Sequence, residues 1–291
     1  MGGGPSASVL WMLLAALASA ALAALAHGLG PYVGWQGVLL ARTFFGFVLS
    51  LGAARGSGAP VVLVGVPMLW VRSIAGSAGL LFLFYAYTLL PVGDVLVLNN
   101  TAPVWFAIFS WLSLGERPSR GEWIALVAGI AGVALVARPH LQQRNLAVVA
   151  AFFTGITSAV ALRALNVLRH HYAPLTILVH HAAAAFVTAA AITALSAGRL
   201  SLGGLAPWRA APLLVLLGLL GTVGQYAQTR SLATERPVRA AAASYAGVGF
   251  GVIFDHAFWP APLHPLSLLG MAFILGPLPW LIRRPAEAVA R

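Results

Sequence analysis

Arg42 stands near the middle of the apolar run 33–54. A guanidinium at that depth of a hydrocarbon layer is costly and cannot easily snorkel to either end. It therefore requires a partner: a buried carboxylate, backbone carbonyls, or the anionic group of a bound solute. Asn99, Asn100 and Thr101 interrupt the next-but-one run, 95–114, followed two residues later by Pro103. Their side chains can hydrogen-bond a solute or a neighbouring helix, the latter contact being worth about 0.6 kcal/mol on average. Pro103 removes an N–H and frees a carbonyl, and the resulting kink serves either a cavity or plain packing. Gln225 and Gln228, three apart, share one face of the run 212–232 and suggest a polar path or a helix contact. Asp255 is the one acid placed within a span; it reads as a proton-coupling site or as a structural partner of an arginine or of His256. Tyr85, Tyr87, Trp105, Tyr226 and Tyr245 can stack on a solute or pack at helix and membrane interfaces, with Trp105 and Tyr245 the deepest. His180 and His181 point about 100° apart on a helix, so they read as packing residues rather than a metal pair.

The elements that hold these residues follow from composition. Hydrophobic residues make up 60% of the 291 positions and charged residues 8%, whereas soluble domains average about a quarter charged. A membrane-crossing helix needs about 20 apolar residues, so ten of them use roughly 200 positions and leave only short connections. The net charge of +11 comes entirely from arginine, scattered at the ends of apolar runs. That pattern reads as a topology signal and not as a nucleic-acid stripe. With no cysteine, disulfides, thiolate nucleophiles and cysteine metal sites are excluded.

Ten spans are expected, at 9–26, 33–54, 72–90, 95–114, 123–136, 146–168, 175–195, 212–232, 239–259 and 264–282, with Gly28 to Pro31 as the first turn. The first run lacks a basic leader and precedes many others, so it reads as a span and not a signal peptide. With the N-terminus inside, cytoplasmic segments carry Arg55, Arg72, Arg117, Arg120, Arg169, Arg236, Arg239, Arg283, Arg284 and Arg291. Outer loops carry Arg138, Arg144, Arg199 and Arg209. The bias puts both termini in the cytoplasm. A weak internal repeat relates Tyr85-Ala86-Tyr87-Thr88 to Tyr226-Ala227-Gln228-Thr229, and Leu90-Pro91-Val92 to Arg236-Pro237-Val238. Five spans per half, an odd number, force the halves 1–140 and 141–291 into opposite orientations, a transporter signature that puts a solute site near the midplane.

The strongest stretch is Tyr85 to Pro139, two apolar runs joined by the charged turn GERPSRGEW. With Arg42, FYAYTLLPVGD, the triplet Thr101-Ala102-Pro103 and a glycine-rich run ending at Arg138-Pro139, it resembles the first repeat of the drug/metabolite transporter superfamily, EamA-like branch. SYAGVGFGVIFDHAFWPAPLHPLSLLG resembles the matching hairpin of the second repeat, except that Pro260-Ala261 stands where a Gly-Glu is usual, leaving Glu116 without a counterpart. The resemblance implies an all-α integral membrane protein of ten transmembrane helices in two inverted five-helix repeats. It also implies a carrier of small organic metabolites such as amino-acid-like solutes, often moved outward.

The expected function is a secondary transporter working by alternating access in a bacterial-type inner membrane. The alternative is a membrane receptor or regulatory subunit that moves no solute. Candidate solute contacts are Arg42, Tyr85, Asn99, Asn100, Trp105, Gln225, Tyr226 and Tyr245, in a cavity formed mainly by spans three, four, eight and nine, with Asp255 as the proton-coupling candidate. The partners implied are a small solute, the bilayer and protons, with no nucleic acid and a monomer or dimer as the assembly. No GxxxxGK[ST], HExxH or GxSxG pattern occurs, so neither an enzyme nor a metal or organic cofactor is expected. The cysteine-free background allows a direct check of orientation. A cysteine introduced at Ser119 is expected to react with an impermeant maleimide only after the membrane is opened; labelling in intact cells reverses the topology.

Overall fold

A computed structural model describes residues 5–89, 95, 98–115, 117–137, 146–195, 207–233, 237–258, 265–277 and 279–280. Their regular structure is entirely helical, with no strand among them. The helices are α1 Pro5–Ser57, α2 Pro67–Leu89, α3 Ala102–Leu114, α4 Arg120–Ala137, α5 Leu146–Leu168, α6 Pro174–Leu195, α7 Pro207–Leu232, α8 Pro237–Ala242, α9 Ala246–Phe258 and α10 Pro265–Leu275. A 3₁₀ turn, Ala243–Tyr245, joins α8 to α9. Among the described residues, seven segments are long and apolar enough to cross a membrane: Ala7–Ala26, Gly28–Ser57, Pro67–Ala86, Leu146–Leu168, Pro174–Leu195, Trp208–Leu232 and Pro237–Phe254. Ala102–Ser113 and Pro265–Leu275 are shorter apolar helices.

The long α1 is two helices folded back on each other. Gly34 has φ 72° and ψ 161°, a conformation open to glycine and strained for other residues. Leu22 and Arg42 both lie against Gly221 of α7, although 20 residues of straight helix would separate them by about 30 Å. The reversal therefore sits at Gly34, a few residues after the turn expected at Gly28 to Pro31; Pro31 lies within the helical stretch before it. Pro103 also takes a different role from a mid-helix kink. It occupies the first turn of α3, where its missing N–H has no intrahelical acceptor to lose.

Packing is set by small residues. α7 lies against both limbs of α1, and α2 lies against α5 and α6. α3 packs on α5, α9 on α1, and α4 along α10. At the α4–α10 crossing, a Cβ added to Gly132 would meet the Gly270 carbonyl at 2.6 Å, and one added to Gly270 would meet the Gly132 carbonyl at 2.6 Å. Backbones approach this closely only where neither residue has a side chain, the usual route to helix association in lipid. The charged turn before α4 is ordered by a reciprocal cap. Ser119 N–H donates to Glu122 Oε2 at 2.7 Å, and Glu122 N–H donates to Ser119 Oγ at 3.3 Å. The Ser-x-x-Glu spacing that announces this capping box is legible in the sequence.

Arg72 and Arg239, read from the sequence as cytoplasmic loop residues, are buried within helix packing. Ten inner arginines less these two leave eight, against four outside, so the inward bias keeps its sign. The segment between α1 and α2 is fastened to α6: Thr176 Oγ1 donates to the Pro60 carbonyl at 2.9 Å, and Val66 N–H donates to Tyr172 Oη at 3.2 Å.

Gly132→Val places a branched side chain against the Gly270 carbonyl and is expected to cost about 1–3 kcal/mol, the usual penalty for overpacking. The check is a melting curve of the purified protein in detergent, and an unchanged midpoint would remove the contact from the packing account.

Candidate solute-binding cleft

Four helices leave a narrow polar cleft between them. Arg42, Thr43 and Gly46 come from the second limb of α1, Leu80 from α2, Leu178, His181, Ala182 and Ala185 from α6, and Gly221, Thr222 and Gln225 from α7. The unfilled space is about 340 Å³, but the part a water's centre can occupy is only about 30 Å³, enough for a few waters or one small polar head.

Arg72, one turn into α2, extends toward the same place. It is 3% exposed, and its Nη2 donates to Gln225 Oε1 at 3.0 Å. Gly76, one turn further along α2, makes room for it: a Cβ there would strike Arg72 Nη1 and, at 2.7 Å, His181 Cε1. Beside His181, His180 is also buried, and its Nδ1 is 2.7 Å from Ser73 Oγ with the Trp70 ring edge-on at 4.7 Å. The hydroxyls of the cleft are already paired within their own helices. Thr43 donates to the Leu39 carbonyl at 2.9 Å and Thr222 to the Gly218 carbonyl at 2.8 Å. Three nitrogens are not paired: Arg42 Nε, Arg72 Nε and His181 Nδ1 are buried without a hydrogen-bond partner. Among the described residues, no acid lines the cleft.

Of the residues singled out in the sequence, Arg42 and Gln225 meet here. Tyr85, Asn99, Asn100, Trp105, Tyr226 and Tyr245 do not line it. Tyr226, next to Gln225, turns its ring onto Trp11, edge-on at 6.0 Å. Trp105 packs edge-on against Phe152 at 6.0 Å. Tyr245 is 1% exposed in the main core, its ring filling the space over Gly129, and its hydroxyl has no partner. Tyr85 joins a smaller apolar cluster with Ala86, Val95, Ala147 and Ala151. Asn99 and Asn100 are half-buried in the turn before α3, where Thr101 Oγ1 donates to the Leu98 carbonyl at 2.6 Å. Asp255 is a residue of α9, but its side chain lies outside the described residues, as do those of Tyr87 and His256. His181, which sequence reasoning assigned to packing, lines the cleft, and Arg72, assigned to a loop, bonds the lining residue Gln225. The available signal was the Arg72-x₃-Gly76 spacing, which clears one helix face beside a long cation.

Residues 6–138 match the profile of the EamA-like transporter family. The first half of the chain is thus similar to that family. Among curated relatives, the pseudopaline exporter CntI of Pseudomonas aeruginosa (strain UCBPP-PA14) is 27% identical over 242 residues, covering 82% of each chain. An uncharacterized transporter of Helicobacter pylori (strain J99) is 25% identical over 213 residues, or 72% of each chain. Human solute carrier family 35 member G1 shares 33% identity over 69 residues, 24% of this chain and 19% of that one. A crystal structure 18% identical in sequence superposes on the fold with a TM-score of 0.76, covering 94% of this chain and 95% of the other.

Removing the Gln225 carboxamide leaves a further Arg72 donor buried without an acceptor. Gln225→Leu is therefore expected to destabilise the protein by about 1–3 kcal/mol, read as a fall in melting temperature. Gln225→Glu restores an acceptor and is expected to recover most of it.

Proposed function

We propose that the protein is a secondary carrier that moves a small organic solute outward across a bacterial inner membrane by alternating access. The observation that carries this reading is the polar cleft at the junction of α1, α2, α6 and α7, two helices from each half of the chain. Donors without acceptors inside a helical membrane protein are expensive, and a bound solute that completes them turns that cost into affinity.

The packing supports two halves of equivalent construction. Exchange of first-half with second-half helices turns the contact of α2 with α5 and α6 into that of α7 with the two limbs of α1. The same exchange turns the α3–α5 contact into the α9–α1 contact and maps the α4–α10 contact onto itself. Repeats 1–140 and 141–291, each of five passes and oppositely oriented, account for this pattern, with the solute between them. Ten passes would put both termini on one side, and the arginine bias favours the cytoplasm for them. Outward movement rests on the exporter among the relatives, and pseudopaline is the first solute to try. Asp255 is the candidate for proton coupling, because an acid on a membrane helix is a functional residue by default.

Reconstituted protein in liposomes loaded with pseudopaline or with a mixture of amino acids is expected to release a solute at a rate that saturates with concentration. Protein-free liposomes should not. Release that rises linearly with concentration, or none for any solute, would reject the carrier reading. With an active solute in hand, Asp255→Asn is expected to abolish the response to a pH gradient while leaving solute exchange intact. An unchanged response removes the coupling role.

A further inference from the structure

We infer that the cleft binds the carboxylate of its solute, with Arg42 and Arg72 as the two cationic contacts and Gln225 orienting Arg72. The inference rests on the carrier reading and specifies the substrate class of that same site.

Arg42 lines the cleft, Arg72 reaches it by its hydrogen bond to the lining residue Gln225, and no acid is among the described lining residues. Arg72 is 3% exposed, so water does not neutralise it, and its Nε has no partner. Arg42 Nε is buried and unpaired in the same cleft. The Nε–H and the neighbouring Nη–H of arginine form the side-on fork that pairs with the two oxygens of a carboxylate. Arg72 uses Nη2 to hold Gln225 Oε1, which fixes the plane of its guanidinium and turns the carboxamide so that its NH₂ is the free end. The polar groups thus available from Arg42, Arg72 and Gln225 are donors, while the lining hydroxyls of Thr43 and Thr222 give their protons to their own helices.

Size and wall chemistry narrow the choice among anions. The space open to water centres, about 30 Å³, admits one small head group stripped of its water, and losing that water costs a singly charged carboxylate less than a multiply charged phosphate. Leu80, Leu178, Ala182 and Ala185 supply apolar walls beside the cations. A cation at the head and hydrocarbon alongside suit an organic acid in which a carboxylate is joined to a carbon skeleton. Two like charges held together in a membrane interior are strongly unfavourable alone, so an anion between them removes repulsion as well as completing hydrogen bonds.

A reporter thiol tests this without knowledge of the physiological solute. Thr222→Cys places the only cysteine of the chain in the cleft lining. In the full-length protein in nanodiscs, the negatively charged sulfonatoethyl methanethiosulfonate is expected to react at least tenfold faster than the positively charged trimethylammonium reagent. Succinate should slow that reaction, whereas its neutral isostere succinamide and inorganic phosphate should not. Adding Arg72→Gln or Arg42→Gln is expected to collapse the charge preference. Arg72→Lys, which keeps the charge but loses the fork, should retain the preference and lose most of the succinate protection. Melting curves identify which variants are folded, and the two arginine positions provide independent folded comparisons.

Equal rates for the two reagents, a preference for the cation, or reaction with neither would overturn the inference. So would protection by phosphate as strong as by succinate, which would mark an inorganic-anion site, or protection by succinamide. The carrier reading fails separately. If the thiol behaves as expected but liposomes show no saturable flux, the anion site stands and transport falls. If flux is found only for neutral or cationic solutes, transport stands and the carboxylate assignment falls.

Discussion

Close approach of helix backbones is the constraint on which this structure depends. In hydrocarbon, apolar side chains gain little by leaving lipid for protein, so helices associate through fit, hydrogen bonds and small residues at their crossings. Gly132 and Gly270 let α4 and α10 touch carbonyl to Cα. Gly218 receives the Phe45 side chain, and Gly221 and Gly224 bring α7 against both limbs of α1. Gly155 admits Thr101 and the Leu98 carbonyl at the start of α3. Because α7 is pressed into the α1 hairpin in this way, Gln225 bonds Arg72 and lines the same cleft as Arg42. A bulkier residue at these glycines would push apart the helices that form the cleft.

The second requirement is polar. Most hydroxyls on the helices return their protons to carbonyls three or four residues earlier, as Thr43, Thr154, Thr188, Thr222 and Thr229 do. This habit hides them from lipid and from the cleft alike. Guanidinium groups have no such local solution, since their donors lie too far from their own backbone. Arg72 finds Gln225 across 153 residues of sequence, and two Nε atoms are left over. Arg42 Nε, Arg72 Nε and His181 Nδ1 are unpaired near one junction of four helices, while the unpaired hydroxyls of Ser77, Ser110 and Tyr245 lie outside the cleft lining.

How much of this was legible depends on the range of the interaction. The all-helical membrane class follows from composition and apolar runs, because satisfying backbone groups in lipid leaves a long apolar segment little choice but a helix. The capping box at Ser119 and Glu122 is likewise local, and so is the place of Arg42 deep in its run. Turn positions were less accurate: Gly34, and not Gly28 to Pro31, reverses the chain, because glycine-proline pairs are tolerated within helices where neighbours satisfy the backbone. Arg72 misled as well. A charge five residues from a helix start looks like an interfacial anchor, and only the glutamine of α7 makes burial affordable.

By itself, then, the sequence determined the helices, their apolar faces, the local caps and the presence of a cation too deep to reach water. The tertiary structure decided which of the candidate polar residues share a space. It joined Arg42 to Gln225, added Arg72 and His181, and directed Trp105, Tyr226 and Tyr245 into packing contacts. The physical reason is that helix propensity and hydrophobicity act within a few residues, whereas the partner of a buried charge is fixed by helix crossings, and those depend on small residues far apart in the chain.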